Sequence, residues 1–210
     1  TYNPDGQILD EDYVYGSFIQ SKMYQNNVAC NNCHDVHSLK LKFDGNKLCL
    51  QCHAPEYDTA SHHFHQGNNE GTQCINCHMP GKFYMGNDYR RDHSFRVPRP
   101  DQSITFNTPN ACTQCHTDKT DQWAWDNFKK NWGTPDHPHF SDKLAPGITG
   151  VEGADIGLME LANDQSQPEI ARASAVKAMA NYDIQNNINA YIALLNDNAP
   201  LVRGATLDVL

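Results

Sequence analysis

Two things are scarce in this 210-residue chain: positive charge and aliphatic bulk. Lysine and arginine total 16 against 25 aspartate and glutamate residues, a formal charge of −9. A surface of that sign repels phosphate backbones and anionic headgroups, so no nucleic-acid partner is expected. Long hydrophobic runs are missing as well. No stretch approaches the roughly 18 apolar residues that span a bilayer, so no transmembrane segment is expected. Mean hydropathy is −0.69, and the shortage is uneven. Between Cys30 and His116 only eight of 87 residues are Val, Ile or Leu. Such a segment cannot offset the entropy of ordering its own backbone unaided.

What the chain has instead is eight cysteines and eleven histidines. Every cysteine belongs to a C-x-x-C pair: Cys30/Cys33, Cys49/Cys52, Cys74/Cys77 and Cys112/Cys115. Each second cysteine is followed at once by a histidine, giving His34, His53, His78 and His116. Two Cys₄ zinc sites would use the same thiols, but neither zinc nor a disulfide framework requires those histidines. With 11 histidines in 210 residues, four such placements by chance have a probability on the order of 10⁻⁵. C-x-x-C-H is the attachment signature of c-type haem, in which both thiols add to the porphyrin vinyl groups and the histidine ligates iron. Four covalent haems are expected. As large apolar bodies they supply the core that residues 30–116 lack, and the apoprotein is expected to be unfolded.

Four irons with a proximal histidine each have one further axial position. His37, His62, His63, His65, His93, His137 and His139 are the histidines left to fill it. His37 is too near His34 to cap the same iron and is a candidate for a neighbouring one. The run S-H-H-F-H is expected to provide one ligand, His65 ahead of His62. His93 is a third candidate, and one of the pair around Pro138, with His139 preferred, a fourth. Met79 directly follows His78 and cannot reach round its own iron, and Met85 reads as filler. Paired histidines therefore predict mostly low-spin irons that exchange electrons without binding substrate. Arg90, Arg91, Arg96 and Arg99 are expected to pair with haem propionates or nearby carboxylates.

Beyond Pro146 the character changes. Residues 151–210 hold sixteen Val, Ile or Leu and no cysteine or histidine. Helical periodicity runs through 155–164, 168–182, 187–197 and 200–210. Leu158, Leu161, Asn163 and Asp164 echo Tyr191, Leu194, Asn196 and Asp197 at an offset of 33, and Ile170, Arg172 and Met179 echo Leu201, Arg203 and Leu210 at 31. A period in the low thirties predicts paired helices of an α-solenoid. A solenoid that stops inside its second unit is expected to be a fragment or to be covered by a partner. Residues 1–29 lack a basic-then-apolar signal pattern, and their aromatic stretch Tyr13–Tyr24 is expected to pack on the first haem.

The stretches VYGSFIQSKMYQ, CNNCHDVHS, CLQCH and HHFH before CINCHMP, with RRDHSFRVPRPD and TPNACTQCHTDK, resemble a family of bacterial multihaem cytochromes c. Members of that family often carry tetratricopeptide or HEAT-like helical repeats after the haem domain, and residues 168–210 are similar to the HEAT-like kind. Members also commonly have further C-x-x-C-H motifs upstream, which this sequence lacks. The resemblance implies electron transport in the periplasm or outside the cell. Some four-haem cytochromes also polymerise into extracellular conducting filaments.

The fold class expected is therefore mainly α with extensive irregular loops. Residues 1–29 form a lead segment, 30–145 a haem-packed tetrahaem domain, and 151–210 a short, incomplete HEAT-like solenoid. The expected function is electron transfer rather than catalysis, with redox proteins, extracellular acceptors or further copies of the chain as partners. Reduction of a small nitrogen or sulfur oxyanion at one five-coordinate haem is the alternative.

Overall fold

The computed structural model describes residues 2–10, 13–183 and 188–210. The chain divides into two compact units, Thr1–Gln20 with Pro135–Leu210, and Ser21–Thr134. In chain order, α1 (Val14–Phe18) belongs to the first, the helical unit. The second, motif unit carries α2 (Lys22–Gln25), α3 (Cys30–Cys33), α4 (Lys47–Leu50), α5 (Ala60–His63) and α6 (Cys74–His78). A hairpin of β1 (Gly81–Tyr84) and β2 (Asp88–Arg91) follows, then α7 (Pro100–Phe106), α8 (Ala111–Cys115) and α9 (Asp121–Trp132). The chain re-enters the helical unit with α10 (Ser141–Ile148), α11 (Ala154–Asn163), α12 (Glu169–Ala178), α13 (Ile188–Leu194) and α14 (Pro200–Val209). The protein is mainly helical. Among the described residues no helix is long and apolar enough to cross a membrane.

The helical unit has an ordinary apolar core. Leu158, Leu161, Val176, Met179 and Val202 are almost completely buried, with α11 packed on α10 and α12, and α12 on α14. Gly147 of α10 lies where a Cβ would overlap the Leu158 side chain, so its bare backbone is what lets α10 and α11 close. Each periodic segment read from sequence overlaps one of the helices α11 to α14, and Asn187 lies outside the described residues. The offset-33 half of the echo has a structural counterpart, whereas in the offset-31 half Met179 is buried and Leu210 exposed. Leu158, Leu161, Tyr191 and Leu194 are all buried, and Asp164 and Asp197 each accept an amide hydrogen two residues on, at the turns after α11 and α13. Arg172 is buried, donates to the Ala162 carbonyl at 3.0 Å and pairs with Asp197, tying α12 to the turn before α14. Burial alone would raise the Asp197 carboxyl. Hydrogen bonds from Arg172, the Ala199 amide and Gln165 overcome it and hold the group below the usual carboxylate range.

The motif unit is built differently. Of the buried apolar residues described in the protein, it holds only Tyr84, Ala111, Ala124, Phe128 and the prolines Pro80 and Pro100. Val36, Leu39, Leu41, Phe43, Phe83 and Trp132 stand among its exposed large apolar side chains. Irregular chain and one-turn helices hold the motifs, the longest element being the 12-residue α9, capped by the Thr120 side chain on the Trp123 amide. The antiparallel hairpin, paired from Gly81↔Arg91 to Tyr84↔Asp88, had no counterpart in the sequence reading. It turns through Met85 and Gly86 at positive φ.

The unit boundaries also differ from those expected. Residues 1–20 join the C-terminal helices, and the motif unit ends at Thr134. The physical reason is burial: Phe18 and Ile19 of the lead segment are covered, and Tyr2 and Gln20 line one pocket with Phe140, Leu144 and Ile170. Tyr13 and Tyr15 are exposed, while Glu11 and Asp12 lie outside the described residues.

Candidate haem-binding site

Each C-x-x-C pair occupies a single helical turn or its edge, on α3, α4, α6 and α8, with its histidine at or just past the end. The segments that carry successive motifs are neighbours. Gln51 of the second motif donates to the Asn32 carbonyl of the first at 3.4 Å, the Cys74 amide donates to Asn46 just ahead of the second motif at 3.0 Å, and α6 packs on α8. The Cys74 thiol pushes the Cys49 thiol up and is itself lowered to about 7, while burial raises Cys77 to about 11. Burial also raises Cys33 and Cys112. Motifs adjacent in sequence are therefore adjacent in space.

Asn46 and Arg91, which the sequence reading passed over or left open, brace this arrangement. The Asn46 side chain donates to Asp58 at 2.6 Å and to the Thr72 carbonyl at 2.8 Å, and accepts the Cys74 amide at 3.0 Å. It joins the second motif to the third. Arg91, at the end of β2, donates to the Ile75 and Met79 carbonyls, both at 3.1 Å, and to Asn76 at 2.8 Å, covering the open end of α6. Arg90 and Arg99 pair with Asp88 and Asp101, and Arg96 donates to the Ser94 hydroxyl. No sequence signal marks Asn46, an ordinary loop residue until its three partners are known.

The proximal histidines find partners from distant parts of the chain. His34 faces His93 with ring centres 6.5 Å apart and planes at 26°. His78 faces His62 at 6.2 Å and 11°, and His116 faces His65 at 6.1 Å and 27°. Imidazole nitrogen binds a first-row metal at about 2 Å and the ring centre lies about 1 Å further back, so two imidazoles sharing one ion from opposite sides have centres about 6 Å apart. All three pairs fit.

Backbone carbonyls lie at the Nδ1 atoms of four of these rings: Leu39 at 2.9 Å from His34, Arg96 at 2.8 Å from His78, Arg91 at 3.0 Å from His93, and His63 at 2.5 Å from His65. An Nδ1–H donated to a carbonyl leaves Nε2 as the free ligating atom. At His78 the brace is reciprocal, since the Arg96 amide donates to the His78 carbonyl at 3.1 Å. Burial and the neighbouring His78 and His63 rings push His62 below the usual histidine range, towards the neutral form that can ligate.

The remaining candidates are not set near-parallel to a second imidazole among the described residues. His53 meets the edge of Tyr57 at 6.2 Å, and among the described residues no imidazole faces it as the other three are faced. His37 is exposed and joins the Asp35 turn through its amide. The Nδ1 of His63 accepts the His65 amide. His137 pairs with Asp136, and His139 stacks on Phe140 within the helical unit.

Haem fits these residues better than the zinc alternative does. A structural zinc takes all four ligands from protein, whereas haem iron needs only two axial ones. Among the described residues no group of three or more His, Cys, Asp or Glu side chains converges to hold a metal ion. What converges is imidazoles in twos. Each near-parallel pair includes the histidine of a C-x-x-C-H motif, whereas the tilted pair His63–His65, at 6.2 Å and 43°, does not, and the unit's apolar side chains lie largely on its surface.

Residues 24–57 match the family model of the doubled CXXCH motif. The matched stretch contains the first two motifs and indicates covalently bound c-type haem in a multihaem c-type cytochrome-like protein. No curated protein and no solved structure matches the chain.

Proposed function

We propose that the protein is a four-haem electron carrier. Cys30, Cys33 and His34 hold the first haem, Cys49, Cys52 and His53 the second, Cys74, Cys77 and His78 the third, and Cys112, Cys115 and His116 the fourth. His93, His62 and His65 are the distal ligands of the first, third and fourth. The observation that carries this reading is the set of three near-parallel imidazole pairs at 6.1–6.5 Å. Bound haem supplies a reversible one-electron iron couple. Backbone carbonyls hold four of the axial imidazoles in place through their Nδ1 atoms, so little rearrangement accompanies a change of charge. The links between the segments of successive motifs support a relay running from the first motif to the fourth.

Partners of such a carrier are other redox proteins, extracellular acceptors or further copies in a filament, in a periplasmic or extracellular setting. The helix pairs α11/α12 and α13/α14 read as two HEAT-like units, supported by the buried positions that α11 and α13 share.

A second reading, reduction of a small nitrogen or sulfur oxyanion, is favoured at one place. His53 faces the edge of Tyr57 where the other proximal histidines face imidazoles. Film voltammetry of the holoprotein separates the two. The carrier reading predicts four reversible one-electron waves that are unchanged by nitrite, hydroxylamine or sulfite. A catalytic current with any of them transfers the assignment to the reductase.

A further inference from the structure

The stretch His62–His65 offers two rings to two different motifs, His62 to His78 and His65 to His116. Only two residues separate them, and the backbone divides them by turning through Phe64 at a left-handed φ of 56°, which ends α5. A turn of that kind at a non-glycine residue persists only where its surroundings hold it. The His62 carbonyl, in the last turn of α5, has no partner within the helix.

Trp132 reaches this turn from 70 positions further along the chain. At the end of α9 its indole N–H donates to the His62 carbonyl at 2.8 Å. Its ring meets Phe64 edge to face with centres 5.0 Å apart, and Phe128 backs it at 5.2 Å. The same helix sets Trp123 against the His116 ring at 4.8 Å. One helix thus touches a proximal ligand and the turn that carries two distal ones.

We propose that Trp132 is a positioning residue for the third and fourth haems. Its N–H satisfies the His62 carbonyl and its ring fixes Phe64, so that both imidazoles stay opposite their partners. The inference rests on the reading of His62 and His65 as axial ligands. It adds that the two ligations share one support, so a change at Trp132 disturbs two irons together and leaves the other two alone.

The test uses the holoprotein with Trp132→Phe, which keeps a ring against Phe64 and removes the N–H, and with Trp132→Ala as the stronger variant. His62→Ala and His65→Ala serve as controls, each expected to turn one iron high-spin. Haem content by pyridine haemochrome should match the native protein in Trp132→Phe. Loss of one hydrogen bond should then increase displacement of a distal imidazole by carbon monoxide in the reduced state up to about tenfold, at two haems. The electron paramagnetic resonance signals of the same two irons should shift, and Trp132→Ala should extend both effects. If the histidine controls respond while Trp132→Phe matches native in both readouts, the support role of Trp132 is overturned and the ligand reading stands. If neither histidine control yields a high-spin iron, the ligand reading fails and the proposal falls with it.

Discussion

Gly71 stands where any side chain would collide with a ring. A Cβ there would meet Cγ and Nε2 of His65 at 2.7 and 2.9 Å, so the imidazole rests directly on bare backbone. Gly71→Ala is expected to push His65 off its place opposite His116 and leave one iron high-spin, without changing the other three or the haem count. Electron paramagnetic resonance of the oxidised variant checks this. At Asn46 the expected effect is on stability. Asn46→Ala leaves the Cys74 amide and the Thr72 carbonyl short of a partner and should cost about 1–3 kcal/mol in denaturant titration. The attachment residues are legible in sequence because covalent haem chemistry requires them to be contiguous. Their partners are not. His34 and His93 stand 59 positions apart, and only the path of the folded chain brings them together. The run S-H-H-F-H was expected to give one ligand, and a single left-handed residue, Phe64, lets it offer two rings.

At the scale of the element, periodicity made α11, α12, α13 and α14 readable, since each is held by an apolar stripe that recurs every helical turn. The hairpin escaped because Lys82–Tyr84 and Asp88–Arg91 carry no apolar alternation; its strands are stabilised by the turn at Gly86 and by local contacts such as Arg90 with Asp88. The grouping of residues 1–20 with the C-terminal helices was not legible for a related reason. Aromatic and aliphatic side chains such as Phe18 and Ile19 suit a porphyrin face and a helix face equally well, and composition does not distinguish them.

Two predictions belong to elements. Arg91→Ala uncovers the end of α6 and should weaken the third motif by about 1–2 kcal/mol, seen as earlier loss of one haem's low-spin signal in denaturant. Arg172→Ala leaves Asp197 buried without its cation and should destabilise the helical unit by about 3–5 kcal/mol. Because the Asp197 carboxyl is held below its unfolded value, its contribution is complete above about pH 5 and fades as pH falls through the ordinary carboxylate range near about 4. Thermal melts of the native protein should show that decline, and melts of Arg172→Ala should show less of it.

At the scale of the molecule, the two units differ in what holds them together. The helical unit buries Leu158, Leu161, Val176, Met179 and Val202 on its own account, while the motif unit buries little beyond Tyr84, Ala111, Ala124 and Phe128. Protein made without haem attachment should therefore keep the helical unit folded and lose the motif unit. Limited proteolysis should cut within Ser21–Thr134 and spare residues after Pro135. This divides the sequence expectation of a wholly unfolded apoprotein into two parts with different cores. The account's central claim is that paired imidazoles grip the irons of the first, third and fourth motifs. Its most direct test is quantitative electron paramagnetic resonance of the oxidised holoprotein, with carbon monoxide added after reduction. The account predicts three low-spin irons that ignore carbon monoxide, whatever occupies the sixth position opposite His53. High-spin signals or carbon monoxide binding at more than one of the four irons would contradict it.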